Sequence, residues 1–171
     1  MKKNLIVLAL SMFATITASA QVYDIPPFAQ DKFYLGASLS NLDINYSGLK
    51  DLSVDFSLKG GYLIEDNMMV YGLIGYGHEG SKFKCDSFTT GLGGRYYFED
   101  NGIFLGVSAK YKHAAKSYND FLPGVEVGYA FFLNRTLTIE PALYYEQSFK
   151  NHGDFSTFGL RVGFGVYLFN D

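Results

Sequence analysis

The chain has little cysteine, proline or tryptophan: one Cys, four Pro and no Trp in 171 residues. Its single cysteine, Cys85, excludes an intrachain disulfide, and no CxxC zinc or redox motif exists. After residue 20 no apolar run approaches the roughly 20 residues that a membrane-spanning helix needs. Lysine and arginine, 14 in all, are outnumbered by 17 acidic residues. The chain therefore lacks the basic character that a nucleic-acid partner requires.

The first 20 residues are organised like a secretion signal. Two lysines precede an apolar stretch over 5–16, and the Ala-Ser-Ala of 18–20 fits the small-residue rule for signal peptidase. We therefore expect a signal peptide over 1–20, export through the Sec pathway and a mature chain that begins at Gln21. An uncleaved membrane anchor is the alternative, although the apolar stretch is short for a span.

Glycine and aromatic residues are abundant, with 19 Gly, 14 Tyr and 16 Phe. From Phe33 to Phe169 the chain is a series of short segments in which large apolar residues alternate with small or polar ones. Within each segment, the charged residues occupy the same alternate positions as the small residues. Because successive side chains of a β-strand point to opposite faces, each segment has one bulky apolar face and one small, polar face. In the last segment the second face carries Gly159, Arg161, Gly163, Gly165 and Tyr167.

Turn-forming residues divide the chain into eight predicted strands. They lie near 33–43, 52–64, 68–78, 87–98, 103–113, 121–132, 137–147 and 156–169. Tight Asn-, Asp- or Gly-containing connections alternate strictly with longer polar ones. An even number of strands, most of them longer than the ~9–11 residues that cross a membrane at a tilt, is typical of a transmembrane barrel. With the N-terminus in the periplasm, the tight turns are periplasmic and the four longer loops face outward.

Charged residues inside the strands indicate which face meets lipid. A basic side chain that faces lipid at the midplane costs ~2–4 kcal/mol, so we place these residues in the barrel interior. The predicted interior charges are Asp55, Lys59, Arg95, Lys110, Glu126, Glu140 and Arg161. An eight-stranded barrel is narrow enough for side chains to fill, so we expect an ion-paired interior rather than an open pore. The strand at 68–78 carries no mid-strand charge, and its register stays open.

The pattern predicts an all-β fold: an eight-stranded antiparallel up-and-down transmembrane β-barrel. The barrel domain covers 33–171, and a periplasmic N-terminal segment over 21–32 connects it to the signal peptide. A soluble barrel of lipocalin type, with an apolar inside and a polar outside, shows the same alternation and is the alternative. The nearly uncharged bulky face and the aromatic residues near the strand ends favour the membrane form.

The last strand carries a motif that resembles a known assembly signal. Arg161-x-Gly163-x-x-Val166-x-Leu168, followed by Phe169, resembles the C-terminal signal read by the outer-membrane barrel assembly machinery. Val166 stands where an aromatic residue is often found. The whole mature chain resembles the small outer-membrane β-barrel proteins of OmpA and OmpX type. The resemblance implies a Gram-negative outer-membrane location and the assembly machinery as a partner during biogenesis. We further expect contact with membrane lipid and lipopolysaccharide, no nucleic acid and a monomeric state.

Few residues suggest chemistry. The three histidines, His78, His113 and His152, fall near predicted loops without the spacing of metal ligands, so we expect no metal or cofactor. His78 with Ser81, or Ser148 with His152, would be the nearest pairs for a lipid-modifying esterase. No acid that orients the histidine and no oxyanion site accompanies either pair, so no catalytic residue is assigned. We expect a structural, adhesive or surface-interaction role for the four outer loops. A lipid A- or phospholipid-modifying enzyme and a narrow solute channel are the alternatives.

The cleavage site can be tested directly. Protein purified from the outer-membrane fraction is expected to start at Gln21, because the Ala-Ser-Ala motif ends at residue 20. Intact-mass spectrometry measures this. A mass that still includes residues 1–20 would show an uncleaved anchor instead.

Overall fold

The structure is a computed structural model that describes residues 27–40, 53–79, 87–98, 101–114, 118–149 and 156–168. Within these ranges the chain is almost wholly β-strand. No helix among them is long and apolar enough to cross a membrane.

Nine strands form one antiparallel sheet. They are β1 (Phe33–Ser40), β2 (Ser53–Glu65), β3 (Met68–Glu79), β4 (Ser87–Tyr97), β5 (Ile103–Ala114), β6 (Tyr118–Tyr129), β7 (Phe131–Phe132), β8 (Leu137–Glu146) and β9 (Thr157–Leu168). The short β7 continues the line of β6 after a break at Ala130, and both strands pair with β8. The sheet therefore has eight wall positions, as the sequence predicts.

The sheet closes on itself. Apart from β6 and β7, which share one wall position, each strand pairs with its neighbour in sequence. β1 also pairs with β9, with Phe33 opposite both Tyr62 and Leu168. β6 pairs with β8 over Gly124–Gly128, which closes the ring in the described part of the chain. In a closed antiparallel barrel, the backbone N–H and C=O groups of the strands find partners within the wall, as a hydrocarbon environment requires. The all-β, eight-stranded, up-and-down barrel predicted from the sequence is confirmed.

Tight connections lie at one end of the barrel, which we call the turn end. Asn67 (φ 64°) and Gly102 (φ 73°) adopt the left-handed conformation there, which asparagine and glycine tolerate best. Asn134 Oδ1 accepts hydrogen bonds from the backbone N–H groups of Thr136 at 2.8 Å and Leu137 at 2.7 Å. The connections predicted to be longer, at 41–52, 80–86, 115–117 and 150–155, lie outside the described residues. The third has only three residues between β5 and β6, fewer than the five between β4 and β5, so the predicted alternation of tight and longer connections is wrong there.

Strand boundaries differ from the predicted ones by a few residues. β6 begins at Tyr118, three residues before the predicted start at 121. The early start arises because Tyr118, Asn119 and Asp120 pair with the last residues of β5. Pairing across the sheet, which local sequence does not contain, thus sets where this strand begins.

The two faces of the wall differ sharply in character. Outward side chains are large and apolar, and Leu92 (72% exposed) and Val107 (62%) protrude most. β3, whose register the sequence leaves open, buries Met69, Tyr71 and Leu73 and exposes Val70, Ile74 and Tyr76. The continuous apolar outer surface is what a lipid-facing wall requires.

A charge on this outer face should impair the barrel. Leu143 lies midway along β8 and is 42% exposed. We expect Leu143→Arg to lower the free energy of unfolding in phospholipid vesicles by about 2–4 kcal/mol, because the guanidinium faces hydrocarbon. Leu143→Met, which keeps volume and apolarity, should change it by less than about 1.5 kcal/mol. Equal stability of the two variants would contradict a lipid-facing Leu143.

Candidate functional site: the sealed barrel interior

The inward face of the wall carries a dense set of charges. Six of the predicted interior residues are at most 7% exposed: Lys59, Arg95, Lys110, Glu126, Glu140 and Arg161. The seventh, Asp55, lies in β2, but its side chain is outside the described part of the structure. The six described side chains point inward because each occupies the inward parity of its strand.

Glu126 on β6 is the centre of this network. Its Oε1 accepts a hydrogen bond from Arg95 Nε at 2.7 Å, and its Oε2 accepts one from Arg161 Nη1 at 2.9 Å. Lys59 Nζ lies 3.4 Å from the same carboxylate. One carboxylate thereby joins β2, β4 and β9 across the interior of the barrel.

Glu140 on β8 forms a second junction nearer the turn end. Arg95 Nη1 donates to its Oε2 at 2.6 Å, and Tyr34 OH donates to the same oxygen at 2.8 Å. Its Oε1 accepts bonds from Thr138 Oγ1 at 3.0 Å and Tyr167 OH at 3.2 Å. All of these partners are buried, so the charge is compensated without water.

Glu146 is an interior acid that the sequence analysis misses. Its Oε1 accepts a bond from Arg161 Nη2 at 3.1 Å and pairs with Lys110 Nζ. Glu146 has the same parity as Glu140 on β8, so the alternation could have identified it. The predicted strand at 137–147 already includes this position, so strand length is not the reason for the omission.

Aromatic rings enclose the charges. The Arg95 guanidinium carbon lies 4.1 Å from the centroid of the Phe104 ring, and that of Arg161 lies 4.3 Å from the centroid of Tyr144. Between the charged residues lies a cavity of about 10 Å³, lined by Tyr34, Lys59 and Arg95 among others. That space is enough for at most one water molecule. In the described part of the barrel the charged layer is therefore packed shut.

The turn end is closed by an aromatic plug. Phe28, which precedes β1, is 3% exposed and stacks on Tyr97 with ring centroids 4.0 Å apart. Tyr97 and Tyr167 join their hydroxyls at 2.8 Å beside it. Backbone bonds hold the segment in place, from Asn67 N to Phe28 O at 2.8 Å and from Leu63 N to Lys32 O at 3.0 Å.

This plug is not apparent from the sequence. Residues 27–32 fall in the segment predicted to precede the barrel, yet they pack into its end. The contact depends on rings that come from β4 and β9, which are far from Phe28 along the chain.

At the end of the barrel opposite the turn end, the structure describes only some of the residues that the sequence analysis considers for catalysis or metal binding. His113 Nδ1 lies 2.5 Å from Asn119 Oδ1, and Ser148 Oγ donates to Asp120 Oδ2 at 2.5 Å. The side chain of His78, and all of Ser81, Cys85 and His152, lie outside the described residues. Among the residues that are described, no group of three or more His, Cys, Asp or Glu side chains could hold a metal.

The residues of the assembly motif divide between the two faces of β9. Arg161 and Gly163 point into the barrel, whereas Leu168 is 44% exposed on the outer face. Val166 is half-buried on that same outer face, and Phe169 lies outside the described residues. An inward charge and outward apolar residues on one closing strand fit the sidedness of the wall.

A closed antiparallel wall with an apolar outside and paired charges inside defines a transmembrane β-barrel. The sequence agrees, since residues 5–169 match the family model described as the outer membrane protein beta-barrel domain. The chain belongs to this family, and it is an outer-membrane protein. No curated protein matches the chain in sequence.

Solved structures share the fold at low sequence identity. Ail from Yersinia pestis, in a phospholipid nanodisc, has a TM-score of 0.58 at 12% identity, over 81% of this chain and 100% of that one. The N-terminal barrel of Pseudomonas aeruginosa OprF has a TM-score of 0.56 at 14% identity, over 81% and 98%. Neisserial surface protein A has a TM-score of 0.56 at 12% identity, over 80% and 95%. At such identities these structures support the fold alone.

Loss of the central carboxylate should destabilise the barrel. We expect Glu126→Gln to lower the free energy of unfolding by about 3–5 kcal/mol, because it leaves Arg95, Arg161 and Lys59 without their shared counter-charge. Denaturant titration in vesicles measures this. Glu65→Gln, the same exchange at an exposed position, should change stability by no more than about 0.5 kcal/mol. A Glu126→Gln barrel as stable as Glu65→Gln would contradict a central role for Glu126.

Proposed function

We propose that the protein is a non-enzymatic surface protein whose barrel holds four loops at the outside of the outer membrane, for adhesion or another surface interaction. We further propose that it is exported through the Sec pathway and inserted by the barrel assembly machinery. The four connections predicted to face outward, at 41–52, 80–86, 115–117 and 150–155, are the segments that would carry this role.

The sealed interior is the observation that supports this proposal. A channel needs a continuous polar path, whereas here Arg95 and Arg161 bridge to Glu126 across the barrel. Phe28 and Tyr97 stack across the turn end below them. A barrel that is filled in this way offers its loops and its outer wall, rather than its lumen, to other molecules.

The 80–86 loop carries positive charge that suits contact with lipopolysaccharide. Lys82 and Lys84 flank Phe83 in the 80–86 loop, and their charge suits acidic sugars and phosphates. The proposal therefore includes lipopolysaccharide and membrane lipid as partners and the monomer as the working form.

Conductance measurements test the sealed interior. We expect the purified protein to give no stepwise current in planar lipid bilayers, because the ion pairs around Glu126 block the lumen. Regular current steps that scale with protein concentration would support a channel instead.

Loop exchange tests the surface role. Each of the four connections predicted to face outward would be replaced by a Gly-Ser segment of equal length, one at a time, in cells that produce the protein. We expect at least one exchange to reduce cell aggregation and attachment to solid surfaces to the level of cells without the protein. Heat-modified migration on gels, which reports a folded barrel, should stay unchanged. The surface role is contradicted if all variants, the parent and cells without the protein behave alike.

A further inference from the structure

An apolar groove of about 750 Å³ interrupts the outer wall of the barrel. It runs across β1–β4, beside the end of β9. Outward-facing side chains border it: Phe33, Leu35, Tyr62, Val70, Leu92 and Leu168. Gly60 and Gly72 also line it, and because they have no side chains, their backbone forms part of its floor.

The two floor glycines are not needed to build the barrel. They pair directly across β2 and β3, and neither has a positive φ. A Cβ at Gly60 would meet nothing within 4 Å, and one at Gly72 would meet only Leu92 Cδ2 at 3.9 Å. By contrast, a Cβ at the inward-facing Gly93 would collide with the Tyr71 ring. Side chains would therefore fit at Gly60 and Gly72, and their absence leaves the groove open to its surroundings.

Along the membrane normal, the groove extends over about the thickness of one leaflet. It begins at Phe33, the first residue of β1, and reaches Leu92, which lies five residues before the end of β4 at Tyr97. At about 3.3 Å per residue this is about 16 Å along a strand, before its tilt is considered. The apolar band of such barrels is about 25 Å tall, so the groove covers about half of it, on the turn side.

The turn-side mouth of the groove is acidic. Tyr62 OH donates to Asp31 Oδ1 at 2.6 Å, and Asp31, Glu65 and Asp66 are all exposed there. The nearby Lys32 is 4% exposed, its Nζ donates to Pro27 O at 3.3 Å, and its charge interacts with that of Asp66. The three carboxylates outnumber this one cation, so the mouth is acidic among the described residues.

We propose that this groove binds one acyl chain of an amine-bearing phospholipid, of the phosphatidylethanolamine class, from the leaflet on the turn side. The apolar walls take the hydrocarbon chain, and the carboxylates at the mouth attract the ammonium of the headgroup. The inference goes beyond the loops and depends only on the location of the barrel in the membrane.

The absence of tryptophan allows a direct test. A Leu92→Trp variant places the only tryptophan at the groove, and Leu143→Trp places it on β8, on another part of the outer wall. Both are reconstituted into phosphatidylcholine vesicles with one part in ten of phosphatidylethanolamine that carries brominated acyl chains, which quench indole on contact. Leu35→Trp serves as a second reporter on the opposite border of the groove, and heat-modified migration on gels verifies that each variant is folded.

We expect the brominated phosphatidylethanolamine to quench residue 92 at least twice as strongly as residue 143. Adding Gly60→Val, which fills the floor where a side chain has room, should lower quenching at residue 92 to the level of residue 143. Brominated phosphatidylglycerol at the same fraction should show no such preference. Equal quenching at both positions, no effect of Gly60→Val, or equal quenching by both headgroups would overturn the proposal. Weaker quenching at residue 92 together with a cross-linked dimer would assign the groove to a second copy of the chain.

Discussion

The pairing of Glu126 with Arg95 and Arg161 is the interaction on which the rest of the barrel depends. Charges within a membrane protein are tolerated only where they are paired away from lipid. This carboxylate bridges β6 to β4 and β9, and it neutralises cations that lie on strands other than its own. Because breaking a buried pair leaves an uncompensated charge, the network also favours this one arrangement of the strands around the ring.

Because the interior is filled in this way, the surfaces of the barrel are what it offers to other molecules. Above the aromatic plug of Phe28, Tyr97 and Tyr167 lies the charged layer, and the cavity between its charges holds at most one water molecule. We propose that the loops act at the aqueous outside, whereas the apolar outer face, with its groove at Gly60 and Gly72, meets lipid.

Much of the architecture follows from local pattern because a strand alternates its side chains. Parity alone indicates that Arg95, Glu140 and Arg161 point away from lipid, and the structure places all three in the interior. The same rule also places Glu146 in the interior, since it has the parity of Glu140 on β8. It could not orient β3, where Tyr71 and Tyr76 have opposite parities and either would suit an interior or a girdle.

The sequence by itself determined the strand count, the closed barrel and the sidedness of the wall, since these depend on residues that are neighbours along one strand. Only the tertiary structure decided which charges pair, because the partners of Glu126 come from strands far apart in the chain. The same holds for the plug, where Phe28 meets rings from β4 and β9, and for the groove, where glycines of β2 and β3 come side by side. Such contacts depend on register around the ring, which alternation within a single strand does not contain.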